Sequence, residues 1–409
     1  MSLTDNADFV RLWSAQAVSA FGSRVTRTAL PIIAVKVLRE PDSIVAMLAS
    51  VQLAPGVLFA VFAGGMADRG DKRRLLIIAD VVRAAVVASL TLAWALGALS
   101  ISHVMLVGAI VGAASALDQI TDVAYLPAIV GPDQLADANA KLGATDSAAE
   151  IAGPSVAGVL IAAIGAPLAV VTDALGYVWS AAMLGRIRAR PQLATSAEGK
   201  FGLHDLVVGL RAVFGDRYVR SLTLAHMVWS IAGGFFSALY PIYCLRTLGL
   251  SEAAFGLVIA MGGVGALGGA LLARRLASSF GFGPAIIIAS AVSVGAGLFI
   301  PLAAGAPVRV IGLLVAHQLI GDGFAMVFLI HAVTLRQTVL PATVLGRANA
   351  AIHVCTMGVL PVAAIIAGFL AELSSTRTAV WVGVSIGLAA PLMLIPLRHL
   401  RELPARVAS

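Results

Sequence analysis

The stretch Gly64-Gly65-Met66-Ala67-Asp68-Arg69-Gly70-Asp71-Lys72-Arg73-Arg74 sets the topology of the chain. It is a dense cluster of charges between two long apolar runs. Residues 43–63 before it carry no charge, and residues 75–99 after it carry only Asp80 and Arg83. Two such runs with so short a basic link predict a hairpin of membrane-crossing helices. Because positively charged loops are retained in the cytoplasm, we expect the link on that side.

The composition is that of an integral membrane protein. Of the 409 residues, 59% are hydrophobic and 12% are charged, and the mean hydropathy is +0.96. A soluble protein of this length keeps a larger polar surface. The apolar runs continue for about 20 residues, the length of a membrane-crossing helix, whereas barrel strands alternate apolar and polar residues. The sequence therefore predicts an all-α membrane protein.

Several other functions are disfavoured by what the sequence lacks. It has no G-x-x-x-x-G-K-[ST] loop for an ATP-driven pump and no histidine pair at metal-ligand spacing. Cys244 and Cys355 lie in apolar runs, as core thiols do. The net charge of +7 arises from cations in the links between spans and does not indicate a nucleic-acid-binding surface. We predict no nucleic-acid partner, no metal, no cofactor and no enzyme activity.

Apolar runs predict twelve spans, with cations concentrated in alternate links. That asymmetry places both termini in the cytoplasm, with the chain in the inner (plasma) membrane. The polar N-terminus has no basic region or cleavage site of a removable signal peptide. The segment FGLHDLVVGLRAVF at 201–214 has apolar residues at helical spacing and predicts an interfacial helix. The predicted spans are 10–37, 43–67, 75–99, 103–128, 138–164, 167–187, 217–246, 251–276, 283–304, 308–338, 344–371 and 377–399.

Three pairs of motif residues recur at an offset of 210 positions. They are Pro31 with Pro241, Asn139 with Asn349, and Gly158 with Gly368. The repeat predicts two pseudo-symmetric six-helix bundles, residues 1–190 and 217–409, joined by a cytoplasmic linker at 191–216. With six spans each, the halves are expected to be related by an axis along the membrane normal.

The basic link resembles the signature loop of the major facilitator superfamily. The match is Gly64-x-x-x-Asp68-Arg69-x-x-Lys72-Arg73, and the predicted twelve spans in two halves agree with it. Asp71 departs from the family pattern, which has a glycine there. Within this family, the chain is most similar to bacterial efflux proteins akin to enterobactin and macrolide exporters. The motif that supports this subgroup precedes span eleven and reads Gly346-Arg347-Ala348-Asn349-Ala350.

The resemblance implies twelve transmembrane helices in the major facilitator fold, with a gating loop between spans two and three. The loop residues are Gly64, Asp68, Arg69, Lys72 and Arg73. By family analogy, Asp68 is expected to contact the start of span eleven near Arg347 and to hold the cytoplasmic side shut. This contact would break when the two halves rock against each other. The repeat of this turn has Arg274 in place of the acid, so a single latch is expected.

Span five carries Gly153-Pro154-x-x-Ala157-Gly158, which looks like the antiporter motif of the family's exporters. Proline removes a helix hydrogen bond, and small residues allow a neighbouring helix to approach closely. The resemblance implies that Gly153, Pro154 and Gly158 form an antiporter-like motif and that the protein is an exporter. Ordinary tight helix packing is the alternative.

Charged residues inside spans one and five form our first candidate site. A charge at the bilayer centre costs roughly 2.5–3.5 kcal/mol, so it needs a partner or a wet cavity. Arg24 and Arg27 are three residues apart, and Asp146 and Glu150 four apart, so each pair shares a helix face. We hypothesise a network for which ligand and proton compete, with Glu150 as the proton-binding group. A static salt bridge is the alternative.

Span four carries Asp118 and Asp122. Asp122 is predicted to form a structural ion pair with Arg83, and Asp118 is a second proton-coupling candidate. Asp173 lies in the first turns of predicted span six, and we interpret it as an anion that interacts with the positive end of that helix. His317 and Asp322 differ by about 140° around an ideal α-helix and are not expected to face the same way. The aromatic residues show no compact cage in the sequence.

These observations favour a secondary active transporter, a proton-coupled exporter of small amphipathic organic compounds such as drugs or siderophores. The expected partners are a small-molecule cargo, protons and the lipid bilayer, with the chain acting as a monomer. An importer or symporter of a small metabolite in the same fold is the alternative. A polytopic membrane enzyme is the alternative from another class.

Overall fold

The computed structural model describes residues 3–69, 71–131, 134–188 and 203–402. Its description omits the side chains of 57–69, 123–124, 136, 203–204 and 342–343. No strand occurs in the described residues. Within the same ranges, ten helices are long and apolar enough to cross a membrane.

The described residues of the first half form six long helices. Their N-termini are fixed by side-chain caps at several points: Asn6 accepts hydrogen bonds from the amides of Asp8 and Phe9, and Ser100 accepts one from His103. The helices are α1 (Ala7–Ile32), α2 (Asp42–Arg69), α3 (Lys72–Ala95), α4 (Ile101–Ile129), α5 (Leu135–Ile164) and α6 (Ala166–Gly185).

The second half begins with a short helix and contains several interrupted ones. The helices are α7 (Leu203–Gly215), α8 (Arg217–Ile242), α9 (Glu252–Phe280), α10 (Phe282–Ala296), α11 (Phe299–Leu302), α12 (Pro307–Ala316), α13 (Gly323–Val339), α14 (Ala342–Leu373), α15 (Thr376–Gly387) and α16 (Ala390–Met393). Predicted spans nine, ten and twelve are thus divided into shorter helical pieces. A π-helical segment, His317–Asp322, joins α12 to α13.

The helix bounds repeat at the offset of 210 residues found in the sequence. α1 corresponds to α8, and each is followed by a π-helical segment, Ile33–Val37 or Tyr243–Thr247. The repeat extends to the backbone that follows: Arg39 has φ 56° and Gly249 has φ 70°. Glycine adopts this left-handed conformation readily, whereas the Cβ of Arg39 opposes it.

The chain packs as two compact units. The first unit contains residues 1–40, 51–200 and 251–260, and the second contains 41–50, 201–250 and 261–409. The start of α2 therefore packs in the second unit and the start of α9 in the first. In the second unit, the Ser50 hydroxyl donates to the carbonyl of Pro361 at 2.8 Å. Each unit thus includes a ten-residue segment from the other half of the sequence, 41–50 or 251–260. The sequence-based division into two halves did not include this exchange.

The helix α7 lies where an interfacial helix was predicted and packs on the start of α14. Leu206, Leu210 and Val213 join the apolar cluster that contains Ala348 and Ile352. Gly209 makes this approach feasible, because a Cβ there would overlap the backbone of Arg347. The helix is therefore held within the second unit.

Candidate functional site

The structure brings together the four charged residues of α1 and α5. Arg24 Nη2 lies 3.0 Å from Asp146 Oδ1 and also pairs with Glu150 Oε2. Arg27 Nη1 lies 3.8 Å from Glu150 Oε1. The Arg24 side chain is buried, whereas about half of the Glu150 side chain is exposed (53%). Glu150 thus combines solvent access with two neighbouring guanidinium groups.

Gly153 connects the antiporter-like motif to this network. A Cβ at Gly153 would lie 2.7 Å from both Cβ and Cγ of Arg24. Glycine therefore gives the aliphatic part of Arg24 the room to cross α5 and reach Asp146. This contact is a local reason for the first glycine of the motif.

Gly158, the last glycine of the motif, lies against the start of α9 in the first unit. A Cβ there would lie 2.9 Å from the Cα of Gly256 and 2.8 Å from the carbonyl oxygen of Glu252. In the second unit, Gly368 faces Ala46 at the start of α2 in the same way. Both glycines therefore allow close helix packing at these contacts, the alternative weighed for this motif.

A second cluster of charges lies between α3, α4 and α6. Arg83 Nη2 is 2.6 Å from Asp80 Oδ1 and 2.8 Å from Asp118 Oδ1. The Arg83 guanidinium also lies over the Tyr177 ring, 4.5 Å from its centroid. We call Asp80, Arg83, Asp118, Asp122 and Asp173 the Arg83 cluster.

The predicted ion pair between Arg83 and Asp122 is wrong by one turn of α4. Arg83 reaches Asp118, four residues earlier, and Asp80 on its own helix. Among the described residues, no cation lies within 4.0 Å of Asp122; Gln16 of α1 faces it instead. The sequence-based pairing used only the depth of each residue in the membrane, estimated from the span boundaries. The partner of Arg83 also depends on how α3 and α4 are rotated about their axes, which depth does not give.

Asp173 is a core residue of α6 and not the helix-end partner that we predicted. Its side chain has no exposed surface, and neither carboxyl oxygen has a hydrogen-bond partner among the described residues. The hydroxyls of Thr26 and Tyr177 face it without a completed hydrogen bond. Gly22 of α1 admits this carboxyl, because a Cβ there would lie 2.7 Å from Asp173 Oδ1.

Part of the predicted gating loop has a structural role within the first unit. Arg73 donates through Nε to the carbonyl of Leu184 at 2.8 Å and through Nη2 to that of Gly185, at the end of α6. Lys72 begins α3. Gly64, Asp68 and Arg69 lie on α2, but their side chains fall outside the described set, as does Gly70. Arg347, the partner expected for Asp68, pairs with Asp205 of α7 at 3.1 Å.

The described residues contain no group of three or more His, Cys, Asp and Glu side chains placed to hold a metal ion. The two charged clusters of the first unit are built from carboxyl groups and guanidinium groups. Carboxyl groups in this setting can hold and release protons.

Comparisons with known proteins show the family to which the chain belongs. The profile of the transmembrane secretion effector family matches residues 3–408. The enterobactin exporter EntS of Escherichia coli is 26% identical over 366 residues, which cover 88% of this chain and 86% of EntS. The MFS-type transporter y4rN of Sinorhizobium fredii is also 26% identical over 342 residues, covering 83% and 82% of the two chains.

Solved structures share the fold at lower identity. A bacterial homologue of the iron transporter ferroportin superposes with a TM-score of 0.77 at 17% identity and covers 98% of this chain and 100% of that one. The nucleoside transporter NupG gives a TM-score of 0.71 at 13% identity and covers 98% and 100%. These likenesses confirm the all-α major facilitator fold expected from the sequence, in agreement with the helical repeat described above. The neighbours are transporters and not enzymes, and the chain belongs to the transmembrane secretion effector family of major facilitator transporters.

Proposed function

We propose that the protein is a proton-coupled exporter of small amphipathic organic molecules that works by alternating access. Export is supported by the match to the secretion effector family and by the similarity to an enterobactin exporter. We further propose that it acts as a monomer in the plasma membrane. The distribution of cations supports the placement of both termini in the cytoplasm.

The observation that carries proton coupling is the surplus of carboxyl groups in the Arg83 cluster. Its four aspartates lie around one guanidinium, which contacts only Asp80 and Asp118 among them. An uncompensated charge inside a membrane helix costs roughly 2.5–3.5 kcal/mol. Binding a proton removes that charge, so Asp122 and Asp173 are the groups that we assign to proton uptake and release.

The charged and titratable groups around Asp173 come from several helices. Two nearby charges, those of Asp80 and Arg83, come from α3, and the Tyr177 hydroxyl of α6 faces the carboxyl group. Asp118 of α4 belongs to the same cluster through its ion pair with Arg83. Gly22 of α1 lies against the Asp173 carboxyl, and Arg24 and Arg27 of the same helix pair with α5, so α1 contacts both the Arg83 cluster and the α1–α5 network. Movement of α1 would therefore change the charge environment of both.

This assignment moves proton binding away from Glu150, where the sequence placed it. Glu150 is half-exposed and paired with two arginines, whereas Asp173 is fully buried without a cation in contact among the described residues. We propose that Glu150 and Asp146 hold Arg24 and Arg27 beside the cargo path.

Transport in proteoliposomes tests the proposal. Ethidium and enterobactin, a cationic and an anionic amphiphile, are offered as cargo with and without an imposed pH gradient. We expect the wild type to accumulate at least one of them against its gradient only when the pH gradient is present. Asp173→Asn should abolish accumulation but retain exchange of cargo between equal pH compartments, because the amide fills the same space without binding a proton.

Glu372→Gln is the matched control, since Glu372 is exposed at the end of α14. Its accumulation should equal that of the wild type. Accumulation driven by a pH gradient in Asp173→Asn would show that the proton binds elsewhere. Cargo moving together with protons down their gradient would favour the metabolite importer over the exporter.

A further inference from the structure

The second unit contains a cavity of about 150 Å³ between α8, α10, α15 and the π-helical segment His317–Asp322. A dry cavity of this size accepts a group as large as benzene. Aromatic, aliphatic and glycine residues line it together with Ser293, His317 and the carboxylate of Asp322, and no lysine or arginine is among its described lining residues. None of these lining residues belongs to the α1–α5 network or to the Arg83 cluster.

The π-helical segment explains how His317 and Asp322 both reach this cavity. An α-helix would place them about 140° apart, but the wider turn of a π-helix joins residue i to residue i+5. Both residues line the cavity in the structure. The expectation that they face different directions is therefore wrong, because it assumed α-helical geometry throughout span ten.

Aromatic rings form one wall of the cavity. Phe236 stacks on Tyr240 with centroids 4.4 Å apart, and its centroid lies 5.6 Å from that of His317. Trp229, about two turns before Phe236 on α8, also lines the space. The rings that looked scattered along the sequence are thus assembled by one face of α8.

The imidazole of His317 is oriented by the backbone. Its Nδ1 lies 3.1 Å from the carbonyl oxygen of Ala296, which accepts only, so Nδ1 carries the proton of the neutral ring. Nε2 of the neutral imidazole is then an acceptor. The polar groups of the wall therefore include an imidazole acceptor and the carboxylate of Asp322.

Asp322 is positioned by a glycine of α9. A Cβ at Gly262 would overlap Asp322 Oδ2. The carboxylate is therefore placed between α9 and the cavity by the absence of a side chain at that position. An added methyl group would displace the carboxylate without touching the aromatic wall.

We propose that this cavity binds the cationic head group of the cargo, a quaternary or protonated amine with an aromatic or methyl substituent. Aromatic faces attract organic cations through their quadrupoles, and a carboxylate with no lysine or arginine in the described lining disfavours anions. The inference rests on the proposed exporter of amphipathic molecules and narrows its cargo to organic cations. The head group alone fits the cavity, so the apolar remainder of the cargo lies outside it.

Binding to the purified full-length protein tests the inference directly. Benzyltrimethylammonium is titrated by calorimetry, with neutral N,N-dimethylbenzamide and anionic benzoate as probes of similar size. We expect saturable binding of the cation and weaker or no binding of the other two. Phe236→Ala should weaken cation binding about 2- to 30-fold, the range of one cation–π contact. Asp322→Asn and Gly262→Ala should weaken it as well.

Phe369→Ala is the matched aromatic control, because Phe369 is exposed on α14 away from the cavity. It should bind the cation as the wild type does. Gly262→Ala also keeps the test valid if Phe236→Ala misfolds, since its added Cβ overlaps the Asp322 carboxylate and comes within 3.2 Å of Gln318 Nε2 but leaves Phe236 in place. Equal binding of cation, neutral probe and anion, or unchanged affinity in a folded Gly262→Ala, would overturn the inference.

The failure of this inference differs from the failure of the proposed function. If benzyltrimethylammonium binds in the cavity but no pH gradient drives transport, proton coupling is wrong and the cation site stands. If a pH gradient drives export of enterobactin while benzyltrimethylammonium does not bind, the exporter stands and the cation site is overturned.

Discussion

Asp71, which stands where the family's loop pattern has a glycine, has a local structural role. It is the N-cap of α3, where its carboxylate accepts from the amide of Arg74 at 3.3 Å. The side chains of aspartate and asparagine are preferred at this position, and an acid there also suits the positive helix end. Glycine would supply only the backbone conformation. The replacement therefore stabilises the first turn of α3 at the point where the loop ends.

Residue pairing could be predicted from sequence where two groups lie on one helix, but not between helices. The spacing of Arg24 and Arg27, and of Asp146 and Glu150, correctly indicated shared faces. The partner of Arg83 was missed because rotation about a helix axis is set by packing. Asp80, three residues before Arg83, was an available i,i+3 partner that the pairing with Asp122 overlooked.

Substitution of Arg83 distinguishes the observed pairing from the predicted one. Arg83→Met leaves Asp80 and Asp118 buried without their cation, and we expect the free energy of unfolding to fall by about 3–5 kcal/mol. Asp122→Asn should change it by less than about 1 kcal/mol, since Arg83 does not contact it. Unfolding in mixed micelles measures both. A larger loss in Asp122→Asn than in Arg83→Met would contradict the assignment.

Among the helices, glycines decide where backbones touch. α5 contains both a crowded and an open glycine: Gly158 meets α9, whereas Gly143 has nothing within 4 Å of its Cβ position. Sequence motifs marked Gly158 but not its partner. The contact pairs Gly158 with Gly256, and its counterpart pairs Gly368 with Ala46, so the repeat of 210 residues extends to both sides of each contact.

Alanine at Gly158 and alanine at Gly143, two of the three glycines of α5, should differ in their effect on stability. Gly158→Ala forces α5 and α9 apart, and we expect a loss of about 1–3 kcal/mol in the free energy of unfolding. Gly143→Ala should be neutral or stabilising by up to about 1 kcal/mol, because alanine favours the helix. Thermal unfolding of the two variants in the same detergent is the measurement. Equal melting temperatures would show that this packing is loose.

Hydropathy predicted the position of nearly every helix, but not the breaks within spans. Membrane burial requires each backbone group to be satisfied within the segment, which makes long apolar runs helical. The same apolar composition fits α- and π-helical turns, so the segment His317–Asp322 left no signal. The cavity that depends on it was therefore beyond sequence reasoning.

Across the full chain, the two units do not coincide with the two halves of the sequence. Residues 41–50 belong to the second unit and residues 251–260 to the first. Each segment is bonded to its unit by specific contacts; Asp42, for example, accepts from Thr376 at 2.6 Å and pairs with Arg246. The internal repeat predicted equivalent halves but contained no information on this exchange.

Separate expression of the halves tests the exchange. Residues 1–200 and 201–409 each lack a ten-residue segment of the unit that they would form. We expect each half alone to melt well below the full chain, and co-expression to restore most of the melting temperature. Melting of residues 1–200 alone at the temperature of the full chain would show that segment 251–260 contributes little.

The hydrogen bond from Ser50 to Pro361 joins positions 311 residues apart in the chain. Ribosomes add about 5–20 residues per second, so Ser50 waits roughly 15–60 s for its acceptor to be synthesised. During that interval the second helix is inserted without its final neighbour, with small and polar residues exposed to lipid or to the insertion machinery. Biogenesis of this transporter therefore includes a late step that follows translation of α14, and an insertase or chaperone that shields α2 until then would raise its yield.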